Sequence, residues 1–171
     1  MAGTQDFRQF AFSCSRVDNC GRYLGHESYW KLYSIENYLR VVLHSVLSVQ
    51  ISQNWFDATI PPHTKSDISR RKRDYLKTGV HTQPGKHDIY YVYLSDLSKI
   101  MAVTRHLLVT VIADVDAWIA KIEGVRIPRN LVGHMNFPNR LDRQRIDTLH
   151  RDLATLVQKL ERTASIKIAI P

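Results

Sequence analysis

Arg129, Asn130 and His134 bring a guanidinium, an amide and an imidazole close together within the segment RNLVGHMN. A guanidinium stays charged and offers two donors to one phosphate. An imidazole, with an ordinary pKa of about 6.5, gives or takes a proton near neutral pH. Together they supply parts for chemistry at a phosphodiester: one group holds the anion as charge builds, the other moves a proton. Successive helical residues turn by about 100°, so Arg129 and His134 stand about 140° apart and share no tight face. Asn130 and His134, at i and i+4, are neighbours, which places the amide to hydrogen-bond the imidazole and fix its tautomer. Gly133 beside the histidine costs about 1 kcal/mol of helix stability relative to alanine. That points to close approach by another backbone or a ligand, against a simple packing accommodation. The plain alternative for the whole segment is a solvated helix face around Leu131 and Val132.

The elements that must position these residues are read from hydrophobic period. Residues 27–49 are the clearest helix, with Leu32, Ile35, Leu39, Val42, Leu43 and Val46 at steps of three and four and with Glu27 and Ser28 in the first turn. Glu36, Arg40 and His44 form a polar stripe on the same helix, either an exposed charge ladder or a support for the arginine. Trp55-Phe56 follow, and Pro61-Pro62 close that element. Residues 65–77 read as an exposed basic helix and 78–88 as a loop. YYVYL at 90–94 is β-branched and aromatic and reads as a short strand. Ser95 is the N-cap candidate for the next helix. Asp114 and Asp116 introduce a helix with Val115, Trp118, Ile119 and Ile122 on its apolar face. Pro128 either kinks that helix or opens a new one carrying the motif. Asn139 caps a last helix over 140–163, with Ile146, Leu149, Leu153, Leu156, Val157 and Leu160 facing the core. The sum is an all-α bundle of four to five helices over 25–163. An N-terminal arm over 1–24 holds one short strand or turn, and the alternating tail at 164–171 is suited to an edge strand.

The totals agree. The chain has 171 residues, a length that fits one domain, and 44% are hydrophobic. Its 24 Lys and Arg against 16 Asp and Glu give a formal charge of +8, which favours RNA, DNA or an acidic protein as partner. Arg70, Arg71, Lys72 and Arg73 form the densest charge run, a phosphate grip or a solvated face. Tyr90, Tyr91 and Tyr93 are either base-stacking platforms or, more in keeping with their neighbours, core. Cys14 and Cys20 are too few for a disulfide framework, and with His26 they match no strong zinc pattern. No apolar run is long enough for a membrane span and no secretory signal stands out, so a cytoplasmic protein with reduced thiols, no metal and no cofactor is expected.

The Arg129–His134 block resembles the Arg-x4-His signature of the HEPN superfamily, in which the arginine is usually followed by a polar residue, here Asn130. Three further pieces are similar to one HEPN branch: SIENYLRVVLHSVL with Glu36 and Arg40, the Trp55-Phe56 pair, and YLSDLSKIM. The likeness runs from about residue 29 to 160. It implies a HEPN-like bundle and a metal-independent endoribonuclease, of the kind found as toxins, phage-defence effectors or RNA-processing factors. It also implies a homodimer whose two motifs meet at the interface, with an antitoxin or defence-system partner in some members. In that chemistry an RNA 2′-OH attacks the adjacent phosphate, leaving a 2′,3′-cyclic phosphate and a 5′-OH. Arg129, His134 and Asn130 would be catalytic and Glu36 and Arg40 supporting. Some toxins of the family carry a modifiable tyrosine two residues after the histidine. Asn136 stands there, which argues against that control and leaves Asn136 for RNA contact or a helix cap. Other HEPN domains are non-catalytic nucleic-acid or protein-binding subunits, and that is the alternative reading.

Overall fold

The structure, a computed structural model, describes residues 17–77, 79–80, 82–163 and 170. It is all-α: among the described residues there is no strand, and five helices have ten residues or more. Helix α1 is Val17–Leu24, followed by a π-helical stretch Gly25–Tyr29 and by α2, Trp30–Gln50. Leu24, Tyr29 and Trp30 all have right-handed helical backbone, so α1, the π-helical stretch and α2 run on as one rod. Glu27 and Ser28 therefore lie inside the rod and not at its start, and residues 17–24 of the expected arm are helical. The remainder of that arm and the expected tail strand lie outside the described residues, apart from Ile170.

Short α3, Trp55–Thr59, leads to α4, Pro62–Lys77, which starts at Pro62 where a missing N–H is least costly. Helix α5 is Leu94–Val103, α6 is Arg105–Leu108, α7 is Val115–Gly133 and α8 is Arg140–Thr163. Helix α2 packs on α8, α7 on both α5 and α8, and the 3-10 turn Asp88–Tyr91 closes on α4. The core holds the expected periodic residues: Ile35 of α2, Ile122 of α7, and Ile146 and Leu153 of α8 are all at most 1% exposed. Trp118, Ile119 and Leu156 pack against it while half-buried. No helix among the described residues is long and apolar enough to cross a membrane.

Three local expectations are corrected. YYVYL is not a strand: Asp88–Tyr91 is a 3-10 turn, and only Val92 and Tyr93 are extended. The β-propensity of these residues reflects fit to a half-buried sheet, and no neighbouring strand is present among the described residues. Here Ile89, Tyr91 and Val92 instead bury between α2 and α4. Ser95 is not the N-cap of α5; Tyr93 is, and its N–H donates to Asp96 Oδ2 at 3.1 Å. Pro128 does not open a new helix: α7 runs through it, with Pro128 buried on the core side. The acceptor its missing N–H leaves behind belongs to Gly124, an exposed residue beside which a Cβ would meet nothing. The expected Asn139 cap holds, and Asp114, one of the two aspartates expected to introduce α7, proves to be its N-cap. Asp114 accepts from Ala117 N–H, and Asn139 and Asp142 exchange side-chain-to-backbone bonds at 2.9 and 3.3 Å.

Candidate functional site

Arg129 sits near the end of α7 and crosses to α2. Its Nε donates to Glu36 Oε1 at 2.7 Å. The other carboxylate oxygen of Glu36 accepts from Arg40 at 2.9 Å. Glu36 is only 9% exposed, so its charge is held by the two guanidiniums that flank it. Arg40 is committed further: the same Nη2 donates to the Val92 carbonyl at 2.9 Å and Nη1 to Asn37 Oδ1 at 3.0 Å. Arg129 is different. Its Nε is taken, but among the described residues Nη1 and Nη2 donate to no protein acceptor, and a third of its side chain is exposed. A guanidinium gripped by Nε with its two terminal nitrogens open is oriented for a bidentate anion.

The network extends through an aromatic ring. The Arg129 guanidinium lies 5.9 Å from the centre of the Tyr93 ring, and Arg71 lies 3.8 Å over it. Arg71 in turn donates to Asp96 at 2.5 Å and to the Tyr91 carbonyl at 3.1 Å. Four helices, α2, α4, α5 and α7, thus meet at one charged chain of contacts. The groove over it has a volume of about 530 Å³, with Glu36, Asn37, Arg40 and Arg129 in its lining, Leu32, Val132, Pro84 and Tyr90 as walls, and Tyr29, Tyr33 and Met135 at its mouth.

The helix end at the site is strained. Asn136 N–H donates to the Leu131 carbonyl at 2.8 Å and Met135 N–H to Val132 at 3.0 Å, a Schellman termination of α7. The residue that must turn left-handed there is usually glycine; here it is Met135, at φ 60°. Such a conformation costs an L-residue about 1–2 kcal/mol. Gly133 does not supply the flexibility, and it answers no crowding among the described residues: there an added Cβ would meet only Arg129 Nη1, at 3.5 Å. Close approach of another described segment therefore does not account for the glycine.

The expected residues do not all converge. Arg129, Glu36 and Arg40 are in mutual contact. His134 and Asn130 are exposed at the end of α7, outside the groove lining. Their side chains do not hydrogen-bond each other; His134 N–H donates to the Asn130 carbonyl as part of the helix end. Asn136 donates to the His134 carbonyl at 3.1 Å. In the basic run, Arg71 faces inward as above, and Lys72 pairs with Asp88 and donates to the Lys86 carbonyl. Arg70 and Arg73 are exposed, Arg70 beside Asp67. Tyr91 is core, Tyr90 lines the groove, and Tyr93 is exposed between the two arginines. Cys20 is buried, while Cys14 lies outside the described residues. Tyr29, Tyr33 and Asn37 were missed by the sequence reading, although Tyr33 and Tyr29 continue the Glu36–Arg40 stripe backward at steps of three and four and Asn37 lies within it, three residues before Arg40.

His44 belongs elsewhere. It is 3% exposed, and its Nδ1 accepts from the Trp55 indole N–H at 3.2 Å. Its ring meets that of His87 edge-on at 4.5 Å. Burial pushes the pKa of both imidazoles down; for His44 the His87 ring adds to this, while for His87 Asp88 and Asp57 oppose it and Lys72 assists it.

Compared with protein-family models, curated proteins and solved structures, the chain matches none.

Proposed function

We propose that this chain is a metal-independent endoribonuclease of the HEPN type. It cuts RNA by attack of a 2′-OH on the adjacent phosphate, leaving a 2′,3′-cyclic phosphate and a 5′-OH. The observation that carries the reading is the geometry of Arg129: Nε fixed on buried Glu36, Nη1 and Nη2 open among the described residues, in a groove of a chain with formal charge +8. Such a group holds a phosphate and gains strength as negative charge builds on it. His134 moves the protons: as base it takes the 2′-OH proton, and as acid it gives one to the departing 5′-oxygen. Asn130, one helical turn before it, contacts the same RNA, and the exposed Arg70, Arg73 and Asn136 bind flanking strand.

Within one chain His134 lies outside the groove that Arg129 enters. A homodimer resolves this, with the α7 ends of two copies facing each other so that both side chains serve one cleft. Gly133, which no neighbour among the described residues requires, leaves room for that approach. A toxin or defence effector held in check by a partner suits the activity. The exposed position of His134 also favours a second reading, a non-catalytic RNA-binding subunit.

The test is incubation of total RNA in EDTA with wild type, His134→Ala and Arg129→Gln, followed by end-group analysis. Cutting by wild type alone, with cyclic phosphate ends, is expected. Equal cutting by His134→Ala removes the mechanism, and binding without cutting by wild type selects the subunit reading.

A further inference from the structure

The mouth of the groove is aromatic. Tyr29 is 57% exposed, Tyr33 67% and Met135 73%. Tyr29 and Tyr33 are one turn apart on the same face, and that face continues to Glu36 and Arg40. One stripe therefore presents two exposed rings and then a buried carboxylate, with the Arg129 guanidinium added from α7. The π-helical stretch Gly25–Tyr29 ends at the first of these rings, and such rare single-turn stretches are frequent at functional sites.

We infer that this groove is a subsite for unpaired RNA, with a base stacked on the Tyr29–Tyr33 rings and its flanking phosphate on Arg129. The inference rests on the RNA-cutting reading and names the substrate class, single strands. Three features carry it. A tyrosine face accepts any base, because every base has a π-face. The open Nη1 and Nη2 of Arg129 match a phosphate beside that base. The bases of an A-form duplex are stacked inside, behind a deep, narrow major groove that side chains cannot read, so rings at the mouth of a groove of about 530 Å³ reach only unpaired ones. Tyrosines beside guanidiniums on a chain of charge +8 complement a polyanion with exposed bases.

The experiment measures fluorescence anisotropy of a short labelled single-stranded RNA and of a hairpin duplex of the same composition, in EDTA. The parent protein is the full chain carrying His134→Ala, so that nothing is cut. It is compared with the same chain carrying Tyr29→Ala and Tyr33→Ala, and with one carrying Tyr29→Phe and Tyr33→Phe. The parent is expected to prefer the single strand. The double alanine variant is expected to lose roughly tenfold to a hundredfold in affinity, as stacking losses do, while the double phenylalanine variant keeps parent affinity. The salt slope stays unchanged, because no charge is removed.

Equal binding of duplex and single strand, or unchanged affinity in the alanine variant, overturns the inference. So does a phenylalanine variant as weak as the alanine one, which would assign the phenols and not the rings. Sedimentation velocity on all three identifies the remaining case: a parent dimer that the alanine changes dissociate makes the rim a copy-to-copy contact. Single-strand binding by a wild type that does not cut ends the nuclease reading and leaves this one standing. Cutting by a wild type whose tyrosines are dispensable does the reverse.

Discussion

Glu36→Gln is the sharpest perturbation of the site. Glutamine keeps the shape but not the charge, and its amide can accept from one guanidinium while turning N–H groups toward the other. The Arg40 contact, at 2.9 Å with both side chains only 12% exposed, is worth about 1.5–3 kcal/mol as a charge-assisted hydrogen bond. The Arg129 contact involves a side chain one third exposed, which lowers it to the range of surface pairs, about 0.2–1 kcal/mol. The loss should come to about 2–4 kcal/mol. For a domain of this size each kcal/mol moves Tm by about 2–4 °C, so a fall of about 4–16 °C is expected. Urea titration followed by far-ultraviolet circular dichroism gives the free energy directly. The same titration on Arg129→Leu and on the double variant isolates the Glu36–Arg129 coupling. A Glu36→Gln change smaller than about 0.5 kcal/mol, the scale of ordinary surface substitutions, would refute the claim that this carboxylate holds the groove together.

Other perturbations separate fold from site. Met135→Gly should stabilise the chain by about 0.5–1 kcal/mol, because glycine relieves the left-handed strain at the end of α7 and returns part of the gain as unfolded-state entropy; thermal melting reads it. Gly133→Ala should leave the chain as stable or up to about 1 kcal/mol more so, since its Cβ meets only ordinary contact. RNA cleavage should nonetheless fall, and full activity in that variant would mean that nothing approaches this face closely. Stability should decline as pH drops from about 7.5 to about 5.5. The folded pKa values of His44 and His87 are lowered, so the unfolded chain takes up protons first as pH falls through the ordinary histidine range. Urea titrations at the two pH values test it, and the slope should be shallower in His87→Asn.

Much of this architecture is legible in a single sequence because amphipathic helices carry their own period. Leu32 through Val46 and Ile146 through Leu160 declare a buried face without knowledge of what covers it. Glu36 stands out in a polar stripe at steps of four and Arg129 in the Arg-x4-His block, though no spacing rule links the two across the chain. What stays hidden depends on tertiary context. Tyr90–Leu94 has strand composition but no strand among the described residues to pair with. Pro128 breaks a local rule that the open backbone at Gly124 lets the helix absorb. Arg71 and Lys72 look like surface charge in a basic run, yet Asp96 and Asp88 draw them inward. Tyr29 and Tyr33 stand in line with the Glu36–Arg40 stripe, but nothing in a helical period says that their rings stay exposed beside an arginine from another helix.

Glu36 and Arg129 are separated by 93 positions. At about 5–20 residues per second, ribosomal synthesis adds the arginine roughly 5–20 seconds after the carboxylate. Arg40, four residues from Glu36, is at hand almost at once and can shield that charge while the rest of the chain emerges. The groove closes only when α7 arrives and brings the open guanidinium with it. A nascent chain thus carries the rings and half of the ion network but lacks the group that grips the anion, a built-in delay set by the order of residues along the chain.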